Sequence, residues 1–209
     1  GRSLKVLQGH AQDVLAVTYS GDGARIASSG ADGTVLVWDA ATGQLQYNLQ
    51  GHRSVVRAVT FSPDSTLLAS SGDDKTARIW DVKTGKLQLT LDERTGAVRG
   101  VNFTPDGTRV AVASVDSDVY LWDTTGKPRL LERIVGHTHV SQVLQFAADG
   151  RTLLSAGGDG LIFLWNAADA RVLLRLGGAR GRWYQAATLS PDGQRILAAD
   201  AEGVLHIWD

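Results

Sequence analysis

Three sets of residues in this sequence have the types that acyl-transfer chemistry uses. His10, Ser28 and Asp32 have the types of a Ser-His-Asp set, in which the imidazole takes the hydroxyl proton and the carboxylate holds the imidazolium. His52, Ser70 and Asp74 repeat the set, and so do His137, Ser155 and Asp159, at identical internal spacing. Each set is followed by a tryptophan: Trp38, Trp80 and Trp165. A catalytic centre is needed once per domain and not once per repeated unit, so the recurrence argues against a nucleophile. A buried indole N–H, hydroxyl and imidazole each need a hydrogen-bond partner, and a satisfied chain of them fixes local geometry. These side chains are therefore read as structural, and no catalytic residue is assigned. His137 and His139 stand close in sequence, but the repeat places no third ligand beside them, so neither a metal nor any other cofactor is expected.

The elements that must position these residues are short strands. Trp38-Asp39, Trp80-Asp81, Trp122-Asp123, Trp165-Asn166 and Trp208-Asp209 close five units, with tryptophans 42, 42, 43 and 43 residues apart. Tyr19, Phe61, Phe103, Phe146 and Leu189 each precede their tryptophan by 19 residues, so length varies only between units. Each unit reads as four strands. The first is apolar and β-branched, as in Val14–Tyr19, and ends in a turn tetrad such as Ser20-Gly21-Asp22-Gly23 or Ser62-Pro63-Asp64-Ser65. A second strand, Arg25–Ser29 in unit one, leads through Asp32-Gly33 into a third strand ending at the tryptophan. An outer strand follows, as in Gln44–Leu49. No stretch carries helical periodicity, and the expected class is all-β.

With Gly9-His10, Gly51-His52 and Gly136-His137 opening units and Trp-Asp closing them, the chain resembles the WD-repeat family over essentially its whole length. The resemblance implies one β-propeller domain, residues 1–209, built of four-stranded antiparallel blades. It also implies that each His-Ser-Asp-Trp set forms a hydrogen-bonded chain within its blade. Units three and five depart from this pattern. Unit three has Leu91-Asp92-Glu93-Arg94-Thr95-Gly96 in place of Gly-His and Val112 in place of the serine, leaving Asp116 and Trp122. Unit five begins Gly177-Gly178-Ala179-Arg180-Gly181-Arg182, with Ala198 for the serine and Glu202 for the aspartate. Both blades are expected to rely on apolar packing and to be less rigid. Leu4–Leu7 reads as an outer strand that could complete unit five. Since family members usually close with about seven blades, five visible blades point instead to an arc of a larger ring.

Composition narrows the functions. The 209 residues carry 21 Lys and Arg against 22 Asp and Glu, a net charge of −1, which argues against nucleic acid or an anionic membrane as partner. No apolar run approaches a membrane span. The absence of Cys fits a reducing compartment, and the cytoplasm is expected. The absence of Met, including at position 1, predicts excision from a longer chain, with remaining blades or other domains as neighbours.

The family's frequent contact positions lie at the start of the first strand and just before the turn acid. The first set is Asp13 and Leu15, Val55 and Arg57, Ala97 and Arg99, Val140 and Gln142, and Trp183 and Gln185. The second is Ala31, Asp73, Val115, Gly158 and Ala201. Arg57 and Arg99 are expected side by side, able to clamp an acidic peptide or a phosphate, or else neutralised by Asp73. Trp183, near Arg180, Arg182 and Tyr184, is either an exposed anchor or a filler of the missing network of unit five. The leading expectation is a non-catalytic scaffold that binds a protein or peptide. A reader of acidic or phosphorylated peptide or nucleic acid, using Arg57, Arg99, Arg180 and Arg182, is the alternative. An enzyme centred in the propeller channel is the third reading.

Overall fold

The computed structural model describes residues 4–92, 96–177 and 183–209, the side chain of Gln142 excepted. Glu93, Arg94, Thr95 and Gly178 to Arg182 lie outside the described residues. Among the described residues nineteen strands form five antiparallel sheets, and each sheet takes its strands in chain order. Blade one holds β1 (Val14–Tyr19), β2 (Arg25–Gly30), β3 (Val35–Asp39) and β4 (Leu45–Leu49). Blade two holds β5 (Val56–Phe61), β6 (Leu67–Gly72), β7 (Thr76–Asp81) and β8 (Leu87–Asp92). Blade three holds β9 (Val98–Phe103), β10 (Arg109–Ser114), β11 (Val119–Asp123) and β12 (Arg129–Ile134). Blade four holds β13 (Ser141–Phe146), β14 (Thr152–Gly157), β15 (Leu161–Asn166) and β16 (Val172–Gly177). Blade five has three strands among the described residues: β17 (Tyr184–Leu189), β18 (Ile196–Asp200) and β19 (Leu205–Trp208). Leu4–Leu7, read above as a strand, has no strand partner here.

Local chemistry explains the chain reversals. In the first turn of blade one, Ser20 Oγ donates to Asp22 Oδ1 at 2.5 Å, and Asp22 Oδ1 accepts the Ala24 N–H. Gly23 then closes the turn at φ +70°; blade two has Ser65 at that place, at φ +61°. The second turn has Gly33 at φ +77° and, in blade two, Lys75 at φ +69°.

Blades pack face to face in sequence order. The trailing face of blade one, Ala27, Val35 and Val37, buries Val56, Val59 and Phe61 of blade two. Ala69, Ala77 and Ile79 do the same for Val98, Val101 and Phe103 of blade three. Leu154 and Ile162 of blade four cover Tyr184 and Leu189 of blade five. Period-2 alternation makes this possible, because the inner strands can show one apolar row to each side of the sheet. Each fully buried Val, Leu or Phe contributes about 1.5–3 kcal/mol, so these junctions carry the fold.

Candidate functional site

The first and second strands of every blade meet with an irregularity at one position. In blade one Val14 faces Gly30 and Ala16 faces Ser29, which leaves Leu15 as an extra, bulged residue. The same bulge falls on Arg57, Arg99, Gln142 and Gln185 in the other four blades. A bulge breaks the pleat's alternation and re-aims its side chain. No residue pattern signals this device, since a bulge exists only where two strands are paired.

The carbonyl two residues before each bulge accepts an N–H from the turn between the second and third strands. Asp13, Val55, Ala97, Val140 and Trp183 accept from Ala31, Asp73, Val115, Gly158 and Ala201 at 2.8–2.9 Å. The two positional sets aligned from the repeat are thus bonded to each other in every blade. One end of each blade gathers the bulged residue, the carbonyl and the turn.

On that end, Arg57 grips Asp73, with Nε 3.1 Å from both carboxylate oxygens and Nη2 2.6 Å from Oδ2. Arg99 of blade three brings Nε to 3.8 Å from Asp73 Oδ1. Its buried Nε–H has no hydrogen-bond acceptor among the described residues. Two guanidiniums therefore share one carboxylate. Trp183 is 47% exposed, and its ring lies against Gly158, where a Cβ would stand 3.5 Å from Cε2. Asp13, Leu15 and Gln185 are exposed, while Val55 and Val140 are half-buried. Arg180 and Arg182 fall outside the described residues, so their place beside Trp183 is not described.

The residues with catalytic types meet elsewhere, inside the blades. Trp38 Nε1 donates to Ser28 Oγ at 3.0 Å, Ser28 lies 2.8 Å from His10 Nε2, and His10 Nδ1 lies 3.1 Å from Asp32 Oδ2. In blade two the corresponding distances are 2.8, 2.8 and 3.0 Å through Trp80, Ser70, His52 and Asp74. In blade four they are 2.7, 2.8 and 3.0 Å through Trp165, Ser155, His137 and Asp159. With the imidazole protonated at Nδ1, every donor has an acceptor: indole to hydroxyl, hydroxyl to Nε2, Nδ1–H to carboxylate. The serines are buried and their oxygens already accept the indole N–H, so a substrate carbonyl has no approach to them.

The carboxylates at the end of these chains are shifted. Burial pushes the Asp32 carboxyl up, but hydrogen bonds from Thr34, the Ala11 N–H and His10 outweigh it and bring it to about 2. Asp74 and Asp159 are lowered in the same way: burial opposes, and the bonds from His52 with the Arg53 N–H, and from His137 with the Thr138 N–H, prevail.

Blades three and five do not fall back on apolar packing alone, contrary to the sequence expectation. In blade three the buried Tyr120 donates its hydroxyl to Asp116 Oδ2 at 2.8 Å, and Arg133 pairs with the buried Asp118 at 2.5 Å. In blade five the acid is not Glu202, which is exposed, but the buried Asp200 two residues earlier. Asp200 Oδ2 lies 2.8 Å from His206 Nε2, and His206 stacks on Trp208 with ring centroids 5.4 Å apart. The signal was present in the sequence: Tyr120 and His206 both stand two residues before the closing tryptophan. A search confined to the Gly-His position passes over them.

The innermost strands β5, β9, β13 and β17 line a cavity of about 270 Å³. Its walls are Ala58, Gly100, Val101, Leu144, Gln185 and Ala186 with their neighbours, and none of the lining side chains titrates. No described group of three or more His, Cys, Asp or Glu residues could hold a metal ion. Among the described residues no helix is long and apolar enough to cross a membrane.

Successive four-stranded antiparallel sheets, packed face to face and tied internally by Trp-Ser-His-Asp chains, define a β-propeller repeat protein. Residues 1–39, 43–81, 85–123 and 128–166 each match the family described as WD domain, G-beta repeat, and the chain belongs to that family. A stretch of 42 residues is 52% identical to Protein Mut11 of Chlamydomonas reinhardtii. That stretch is 20% of this chain and 11% of that protein.

Proposed function

We propose that this chain is a non-catalytic interaction platform that binds a protein or peptide on the blade ends carrying the bulged residues. WD repeats generally mediate protein–protein interaction. The observation that carries the choice of face is the recurrent bulge, which falls at one position in all five blades and re-aims the side chains of Leu15, Arg57, Arg99 and Gln185. Trp183 supplies an exposed aromatic anchor, the residue type that most often dominates binding energy. Asp13, Val55, Asp73 and Val140 complete the surface. The three Trp-Ser-His-Asp chains serve as struts inside the blades.

Within this reading the partner segment is acidic. Asp73 carries one negative charge against two guanidiniums, gripping Arg57 and standing 3.8 Å from Arg99. A net charge of −1 disfavours nucleic acid, whose binding needs many phosphate contacts. The hollow lined by β5, β9, β13 and β17 has no titratable side chain in its wall, which disfavours an enzyme centred there. We place the protein in the cytoplasm, where a chain without Cys is at home.

Affinity capture with the intact chain, repeated with Trp183→Ala and with Arg57→Ala/Arg99→Ala, tests the face. Loss of the same partner in both variants is expected. An unchanged set of partners in both would overturn it.

A further inference from the structure

Ala31, Asp73, Val115, Gly158 and Ala201 hold one place in the turn between the second and third strands. In each blade its N–H donates to the carbonyl of the residue just before the first strand, so all five sit on the same end of their blades. Two of the five differ in kind. Asp73 carries a charge, and Gly158 has no side chain. Each of these two receives a large side chain from the blade that follows. Arg99 of blade three reaches back to Asp73 of blade two, and Trp183 of blade five reaches back to Gly158 of blade four.

The two places present opposite chemistry. At Asp73 one carboxylate faces two guanidiniums, a surplus of positive charge that a second carboxylate would balance. At Gly158 a Cβ would stand 3.5 and 3.6 Å from Cε2 and Cδ2 of the indole, and 3.6 Å from the His139 Cβ. The indole therefore lies on bare backbone at van der Waals distance, with nearly half of its surface open. Val140 and Ala201, whose backbones are bonded to the same turns, are uncharged. An indole held from one side and open on the other suits a second aromatic ring, stacked or edge-on.

Asp73 and Gly158 stand two blades apart, with Arg99 on the blade between them. Packed sheets lie about 10 Å apart, and an extended chain advances about 3.3 Å per residue. A strand-like segment thus reaches from the arginine pair to the indole in about three to six residues. We propose that the partner is an extended segment with an acidic side chain for Arg57 and Arg99 and an aromatic side chain for Trp183, spaced by that interval. This inference rests on the interaction reading above and adds to it the two anchors and their separation. Either contact by itself is weak, because its groups are partly exposed. Joining the two makes the second contact intramolecular, so affinity rises steeply when the spacing fits and little when it does not.

Fluorescence anisotropy with labelled peptides on the intact 209-residue chain tests this. The peptides carry a pair of glutamates and one phenylalanine in either order, separated by Gly-Ser spacers of graded length. Affinity is expected to peak where the two anchors stand about three to six residues apart, about tenfold or more above peptides lacking either one. Trp183→Ala should remove the gain from phenylalanine and spare the gain from glutamate, and Arg57→Ala/Arg99→Ala should do the reverse. Gly158→Val keeps the indole but pushes it off its support, and should act as Trp183→Ala does. Unchanged circular dichroism confirms that the variants fold. Affinity that ignores the spacing overturns the two-anchor segment, as does lysine serving as well as phenylalanine; the face itself still stands if either variant weakens binding. Peptides that bind equally well to all variants, or bind to none, also overturn the segment. Unchanged partner capture by the same variants then removes the face as well.

Discussion

Arg57 and Asp73 form a two-pronged ion pair across the end of blade two, with Nη2 2.6 Å from Oδ2, and Arg99 of the next blade stands 3.8 Å from the other oxygen. One carboxylate thus restrains two guanidiniums. Asp73→Asn releases both and is expected to tighten binding of a short poly-glutamate peptide by a few-fold, on the order of 1 kcal/mol for partly exposed charges. The gain should shrink as salt is added. Titration at low and high salt checks it, and an unchanged affinity removes the arginine pair from the contact surface.

Ser70 and Ser71 are neighbours on β6 with opposite expectations. Ser70 Oγ accepts from Trp80 and bonds His52, so Ser70→Ala strands a buried indole N–H and an imidazole, at a cost of about 1–3 kcal/mol. Ser71 Oγ is buried with no partner among the described residues, and Ala113, Ala156 and Ala199 hold its place in blades three, four and five. Ser71→Ala is expected to leave stability unchanged or raise it. Urea unfolding of the pair is the measurement; equal losses in both would mean that volume and not hydrogen bonding governs this strand.

Acid should unfold the protein through its buried aspartates. Asp32, Asp74 and Asp159 ionise more readily in the fold than in the unfolded chain, Asp32 at about 2. Their contribution is therefore fully present above the ordinary carboxylate value of about 4 and is lost as pH falls through the folded values. Melting temperature should decline steeply between about pH 4 and pH 2. Asp74→Asn should start lower at neutral pH and show a shallower decline. A parallel curve for the variant would assign the acid sensitivity to other groups.

Lys75 is an exposed residue held at φ +69°, where blades one and four have Gly33 and Gly160 at +77° and +72°. A side chain in the left-handed region costs about 1–2 kcal/mol, partly offset by the entropy glycine loses on folding. Lys75→Gly is expected to raise stability by up to about 1 kcal/mol. A lower melting temperature in the variant would show that Lys75 makes an offsetting interaction.

Much of the scaffold was legible in the sequence. The five units, their strands and the turns followed from tryptophan spacing, period-2 alternation and Asp-Gly pairs, because each is set by local backbone geometry. The Trp38-Ser28-His10-Asp32 grouping was legible for a related reason: three copies at one spacing must share one geometry. The substitutes in blades three and five were not. Asp200 meets His206 only because β18 and β19 pair and the turn between them carries the acid back over the strand.

What only the tertiary structure decided is where side chains face. A run such as Val56–Phe61 gives no sign that Arg57 is an extra residue; the bulge arises when β5 and β6 align with Val56 on Gly72 and Ala58 on Ser71. Nor could composition separate Val17 from Val59, which are equivalent by repeat but 67% and 7% exposed. The repeat determines which residues a blade shows to its neighbour, and the packing of one blade on the next determines which of them are covered. That difference arises because period and turn chemistry are properties of a few adjacent residues, whereas exposure belongs to surfaces brought together from distant parts of the chain.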